Sequence, residues 1–304
     1  AAGTLVIHGG SVTTTGTQTY GETLSVNLGG NTTLTASMLT FNAPVTSAGE
    51  LHVVGAATLH GGSITTSGEQ SYSGAVTLTT NTLLDAGAFD VNMGSAVDGA
   101  YSLEIRSTGV TTLGGAVGAT HALTSLSTNT GGSLVIDGGS VKTTGSQSYG
   151  EAVTLGADTL LSSTHLGSIS FTNTVDGAFN LSINTAGDTI FNGKVGFTNA
   201  LSSLTTDFAG TGKTYVNGGL VKTVGAQTFN DPVVVGTAAT EFNSTTSGDI
   251  TFAKTLDGAQ AVTINTAGDT IFNGKVGFTN ALASLTTDFA GTGKTYVNGG
   301  LVKT

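Results

Sequence analysis

The sequence predicts an all-β chain, a parallel β-solenoid with about 20 residues per coil and about four coils in each repeat of about 80 residues. Three observations carry this. Residues 183–223 recur at 264–304, an offset of 81, with Ser202 replaced by Ala283 as the one change. A catalytic pocket is normally built once per domain, so near-perfect internal copying points to stacked structural units. Short β-branched or aromatic runs such as Thr189-Ile190-Phe191, Val233-Val234-Val235 and Ile250-Thr251-Phe252 are bounded by Gly, Asn and Asp, which is strand-and-turn chemistry. Helical i, i+3, i+4 patterning is missing apart from Leu201 and Leu204, and that pair fits a turn equally well.

The repeats fix the register of the whole chain. A Gly-Gly pair followed by Ser or Leu and then Val or Ile stands at Gly9-Gly10, Gly61-Gly62, Gly138-Gly139, Gly218-Gly219 and Gly299-Gly300. A second motif follows it at Gln18-Thr19-Tyr20, Gln70-Ser71-Tyr72, Gln147-Ser148-Tyr149 and Gln227-Thr228-Phe229. One continuous solenoid over residues 1–304 is expected, with repeat units at about 9–60, 61–137, 138–217 and 218–298, and residues 299–304 opening a further unit. The first unit lacks the INTAGDTIFNGKVG block yet keeps both flanks, a loss that an array of equivalent coils tolerates. The chain stops within a repeat, which predicts a segment of a longer protein.

Comparison of the copies separates inside from outside. Ile7, Leu59, Ile136, Val216 and Val297 are apolar in every unit, as are Val12, Ile64, Val141, Val221 and Val302. The position before the first set changes freely: Val6, Thr58, Val135, Tyr215, Tyr296. Side chains alternate along a strand, so the first two columns should face the core and the third should face out. Leu113, Phe191 and Phe272 form another inward column, and Val117, Val195 and Val276 a fourth. Tyr215, Phe229, Phe252, Phe272 and Tyr296 read as aromatic anchors of successive coils. Asn42, Asn192, Asn230 and Asn273 each follow an aromatic and are candidates for an axial ladder of side-chain amides.

Composition excludes several function classes. The 304 residues include no cysteine, so there is no thiol nucleophile and no thiolate metal site. Net charge is −10, and the first basic residue is Arg106. Nucleic acid binding needs a basic face that displaces phosphate counterions, and none is present. No apolar run approaches the roughly 18 residues of a membrane span, so no membrane insertion of this segment is expected. Only 9% of residues are charged, but 38% are hydrophobic and well dispersed, which argues for a folded chain over a disordered one.

Runs such as TLDGAQAVTINTAGDTIFNGKVG, GGSVTTTGTQTYGE and SQSYGEAVTLGADTLL resemble the β-strand-repeat passengers of very large bacterial surface proteins, the filamentous-haemagglutinin-like adhesins of two-partner-secretion or autotransporter type. The resemblance covers essentially the whole chain. It implies a right-handed β-helix, extracellular or cell-surface localisation, and a role in adhesion, aggregation or biofilm formation. Expected partners are surface glycans, matrix polysaccharide or other cells, together with self-association. The repeat type has no catalytic signature to carry over.

The candidate side chains favour structural roles. Asp188 and Asp269 occupy one repeat position, and Asp207 and Asp288 another, where the earlier unit has Val110 and Asn129. Duplicated, replaceable acids suit turns better than an acid/base pair of a polysaccharide hydrolase or lyase. Asp98, Asp176 and Asp257 each precede Gly, a turn dipeptide. Neither a Gly-Gly-x-Gly-x-Asp nonapeptide nor an EF-hand loop is present for calcium. His8 and His60 share a column with Asp137, Asn217 and Asn298, which marks a turn cap and not a zinc ligand. His52, His121 and His165 stand apart. Thr13-Thr14-Thr15 gives way to Lys142-Thr143-Thr144 in a later copy, so lysine interrupts any flat hydroxyl array there. Outward Tyr215 and Tyr296 could stack on sugar rings. The expected function is that of a non-enzymatic structural and adhesive rod, with no cofactor, no catalytic residue and no metal ligand assigned and with the ligand-binding residues unknown. A self-associating filament subunit and a β-helical polysaccharide lyase or hydrolase are the alternatives.

Overall fold

The computed structural model describes residues 3–26, 30–206, 211–236, 239–287 and 292–304. Its regular structure is all β-strand, with no helix among the described residues. The chain forms two compact units, Ala1–Thr144 and Gly145–Thr304, and each is a parallel β-solenoid.

In the second unit one coil passes through three strands, Thr214–Val216, Leu220–Thr223 and Gln227–Phe229. Each pairs in parallel with the strand one coil later, through Thr214↔Val233, Val221↔Phe242 and Gln227↔Ile250. The unit therefore has three sheet faces. The first unit is built in the same way, except that Thr32–Phe41 and Leu51–Leu59 run around a corner as long strands whose register shifts between Thr35 and Met38. Coil length varies from 18 residues (Met38↔Ala56) to 26 (Val195↔Val221). Apart from the two long strands, the strands run from two to six residues, and turns of varying length make up the rest of each coil.

Period-two alternation decides what is buried. Gln227–Phe229 and Ile250–Phe252 turn their first and third side chains in and the middle one out. Leu59, Ile136 and Val216 are buried, as are Ile64, Val141 and Val221, the Leu113, Phe191 and Phe272 set, and the Val117, Val195 and Val276 set. All were expected inside. Ile7 and Val12 are only half-buried and Val297 and Val302 are exposed, because their coils are covered on one side alone among the described residues.

Aromatic side chains stack along the axis inside the solenoid. Ring centroids lie 5.1 Å apart in Tyr149–Phe171 and 5.3 Å in Phe171–Phe191. A second column has 5.2 Å in Phe229–Phe252 and 5.4 Å in Phe252–Phe272. Near-parallel pairs at this spacing add about 0.5–1.5 kcal/mol each beyond their burial. Tyr215 and Tyr296 do not belong to these columns. The stacks continue into Val216 and Val297, and each tyrosine is the residue before, which alternation turns outward. They are surface residues, as expected of the outward column, and not members of the aromatic stacks.

The copies do not lie over one another. Within the second unit, Gln147 is in register with Ile169, Thr189, Thr214 and Val233 on successive coils. Its repeat equivalent Gln227 comes six residues before Val233 and lies on another face, in register with Leu204. The first unit repeats the offset. Gln18 leads through Leu39 and Ala57 to Val76, whereas Gln70 stands six residues earlier, over Leu51. One repeat is thus a whole number of coils less six residues, which is one face of three. Successive copies within a unit step back around the axis by a face.

Candidate functional site

The Gln-x-Tyr motif is a buried polar clamp. Gln70 is fully buried, and its Nε2 donates to Ile64 O at 3.1 Å and to Asp85 O at 2.8 Å. Tyr72 Oη donates back to Gln70 Oε1 at 3.0 Å. Gln18 and Tyr20 make the same set, with Tyr20 Oη to Gln18 Oε1 at 2.7 Å. Tyr149 Oη donates to Gln147 Oε1 at 2.8 Å. Each amide ties one corner of its own coil to the coil above, and the phenol satisfies the remaining acceptor. Burial pushes the Tyr20, Tyr72 and Tyr149 phenols above their ordinary pKa. The motif is plain in the sequence, but its hydrogen-bonding role depends on the neighbouring coil that the fold brings over it.

The Asp-Gly dipeptides are inter-coil staples. Asp98 Oδ1 accepts from Thr120 N at 2.9 Å and His121 N at 3.0 Å. Asp176 Oδ1 accepts from Thr198 N at 2.8 Å and Asn199 N at 3.1 Å. Asp257 Oδ1 holds Thr279 N at 2.8 Å and Asn280 N at 3.4 Å. In each case one carboxylate oxygen caps the turn of the next coil. The following glycine has φ of +128° at Gly177 and +139° at Gly258. A Cβ there would stand 2.4 Å from Leu155 O or Val235 O of the coil below, so neither position accepts another residue without strain. The turn reading of these acids holds, and the turn they serve is a coil away in space.

The remaining acids and amides follow the same logic. Asp188 Oδ1 accepts from Lys213 N at 3.0 Å, and Asp269 Oδ1 from Lys294 N at 2.9 Å. Asp207 and Asp288 lie outside the described residues. Asp158 takes the backbone and side-chain amides of Asn180, both at 2.9 Å, and these bonds hold its carboxyl below the usual range. Asp231, buried, faces Lys254 Nζ at 3.4 Å. Of the expected Asn ladder, Asn192 accepts from Asn217 Nδ2 and Asn273 from Asn298 Nδ2, each at 2.8 Å. Asn42 and Asn230 instead bond through their backbone amides to Tyr20 O and Thr206 O. The ladder is therefore two pairs, and its second members come from the turn-cap column that also holds His60.

The histidines are scattered. His52 Nδ1 is 2.6 Å from Ser71 Oγ, and His60 Nδ1 is 2.5 Å from Thr79 Oγ1. His121 enters through its backbone amide at Asp98, His165 Nδ1 is 3.3 Å from Thr164 Oγ1, and His8 is exposed. Among the described residues no three His, Asp or Glu side chains gather as a metal site would need. Thr13 stands in register with Thr35 but the column then passes to Val54, whereas Thr19, Thr40, Thr58 and Thr77 stand in register as an outward hydroxyl column, capped by Asp98.

The outer surface of the second unit differs. Tyr215, Val234 and Asp257 occupy the outward column that corresponds to Thr58, Thr77 and Asp98 of the first unit. Lys213, Pro232 and Thr255 run beside them, and a groove of about 320 Å³ lies between these columns and the Thr279-Asn280 turn. Two exposed phenylalanines carry a lysine on one face, with Lys194 Nζ 4.2 Å from the Phe197 ring and Lys275 Nζ 4.1 Å from the Phe278 ring. The sequence signal for them was a lysine three residues before an aromatic in both copies. Lys213 was equally visible, two residues before outward Tyr215.

Comparison with family models, with curated proteins and with solved structures returns no match.

Proposed function

We propose that the chain is a structural and adhesive segment of an exported bacterial surface or matrix protein, one that supports adhesion, aggregation or biofilm formation by presenting its outer faces to glycans or to other cells. The observation that carries this reading is the division of labour between positions. Clamp glutamines, staple aspartates, turn glycines and stacked rings recur from copy to copy, whereas outward residues change from Thr58 and Thr77 to Tyr215 and Val234. A scaffold that holds its interior constant and varies its surface is suited to display. The six-residue shortfall adds that copies are displayed on more than one face. A non-enzymatic role is supported by the carboxylates of Asp98, Asp176, Asp188, Asp257 and Asp269, each already holding backbone amides of the next coil.

Beads coated with the purified chain test the proposal. They should co-aggregate with bacterial cells or bind matrix polysaccharide well above albumin-coated beads. Equal behaviour of the two bead sets would remove the adhesive reading. Turnover of a polysaccharide that disappears with Asp257→Asn or Asp188→Asn would replace it with an enzymatic one.

A further inference from the structure

The groove over Tyr215 combines features that the equivalent surface of the first unit lacks. Its floor is a column one residue wide, Tyr215, Val234 and Asp257, on three successive coils. Strands one coil apart are about 4.8 Å apart, so this floor runs for roughly 10 Å along the axis. The aromatic end has a cation beside it: Lys213 stands two positions before Tyr215 on the same strand edge, faces out, and makes no ion pair among the described residues. The other end is rich in hydrogen-bonding groups, namely Thr255, Thr279, Asn280 and the Asp257 carboxylate. Asp257 is nine-tenths buried and fixed by the two amides on its Oδ1, so that end is rigid. Pro232, between Lys213 and Thr255, stiffens the edge. In the first unit the same floor is Thr58, Thr77 and Asp98. The Asp staple is common to both surfaces, and the aromatic residue is specific to one.

We propose that this groove binds an acidic saccharide, with a hexuronate ring against Tyr215, its carboxylate at Lys213, and the hydroxyls of the next sugar at Thr255, Asn280 and Asp257. The apolar face of a pyranose stacks on an aromatic ring while its edge makes hydrogen bonds, and the groove offers both along one line. Its volume falls at the lower end of the range for small-molecule sites. The Lys213 ammonium, free of ion pairs among the described residues, selects a ring bearing a carboxylate over a neutral one. The Asp257 carboxylate at the far end disfavours a second negative charge there, so an alternating acidic and neutral saccharide fits better than a dense polyanion. The proposal rests on the adhesive reading above and names the ligand class and the site for it.

The test is calorimetric titration of the 304-residue chain with a hyaluronan tetrasaccharide, in which uronate and neutral sugar alternate, and with maltotetraose as the neutral probe. Hyaluronan tetrasaccharide should bind and maltotetraose should bind at least tenfold more weakly. Tyr215→Ala should weaken the acidic probe about tenfold or more, and Lys213→Gln should remove most of the preference for it and most of the salt dependence. Tyr296→Ala, the repeat equivalent outside the groove, should leave binding unchanged. Each variant changes an outward side chain, and an unaltered thermal melt establishes that it is folded. No binding by the parent chain, or binding that survives Tyr215→Ala, would overturn the groove. If the coated beads still adhered, the adhesive reading would stand without it. Equal affinity for the two probes would overturn the acidic specificity.

Discussion

Tyr149 Oη donates to Gln147 Oε1 at 2.8 Å, and the next copy holds Gln227 and Phe229, a ring with no hydroxyl to give. Gln227 Oε1 is buried there with no hydrogen-bond partner, although its Nε2 still donates to Val221 O and Asn243 O. The apolar side has been rebuilt around the loss. Phe242 packs edge-on to Phe229 at 5.3 Å, where other clamps have Leu34 or Leu84.

The clamp phenol should therefore have a measurable worth. Tyr72→Phe leaves Gln70 Oε1 as Gln227 Oε1 is now, without the compensating Phe242. Loss of about 1–3 kcal/mol is expected, the cost of stranding one buried acceptor. The shift of the urea unfolding midpoint reads it directly, and an unchanged midpoint would mean that the hydroxyl is not holding the amide.

The staple glycines should be intolerant. Gly177→Ala combines a φ of +128° with a Cβ 2.4 Å from Leu155 O, and a loss above about 2 kcal/mol is expected. Gly16, with ordinary φ and nothing within 4 Å of its added Cβ, should accept Ala with no loss, or with a gain of about 0.4–1 kcal/mol from the stiffer unfolded chain. Thermal melts of the two variants should move in opposite directions or differ by many degrees.

The staple carboxylate should hold a turn locally. Asp257→Ala frees the Thr279 and Asn280 amides, and their hydrogen exchange should accelerate at least tenfold, as expected for about 1.4 kcal/mol or more of lost protection. Asp257→Asn keeps an acceptor oxygen and should exchange at close to the parent rate. Equal acceleration in both variants would show that the charge, not the acceptor, fixes the turn.

The buried phenols predict an alkaline limit. Burial raises the Tyr72 and Tyr149 pKa values in the folded chain, while in the unfolded chain they stay near about 10. Below that pH both states keep the protons, so the full stability is present. Above it the unfolded chain binds fewer protons than the folded one, and stability falls by about 1.4 kcal/mol per pH unit for each phenol. Absorbance titration at alkaline pH should show Tyr72 and Tyr149 ionising only together with loss of the β-sheet signal. Smooth ionisation of all six tyrosines in a folded chain would contradict the burial of the clamp.

The sequence by itself determined what is local. Apolar columns shared by the copies placed Leu113, Phe191 and Val195 inside, and Asp-Gly marked turns, because side-chain period and turn chemistry act over a few residues. Alternation also turns Tyr215 and Tyr296 outward, although aromatic spacing alone groups them with the buried rings. Tertiary structure decided what depends on counting residues around a coil. Coil length ranges from 18 to 26 residues, and the sequence does not announce how much each turn absorbs. Only the inter-coil register reveals that Gln227 falls six residues short of the column of Gln147. The same count places Tyr215 beneath Val234 and Asp257, so the groove, assembled from three coils, is a property of their stacking and not of any one stretch of chain.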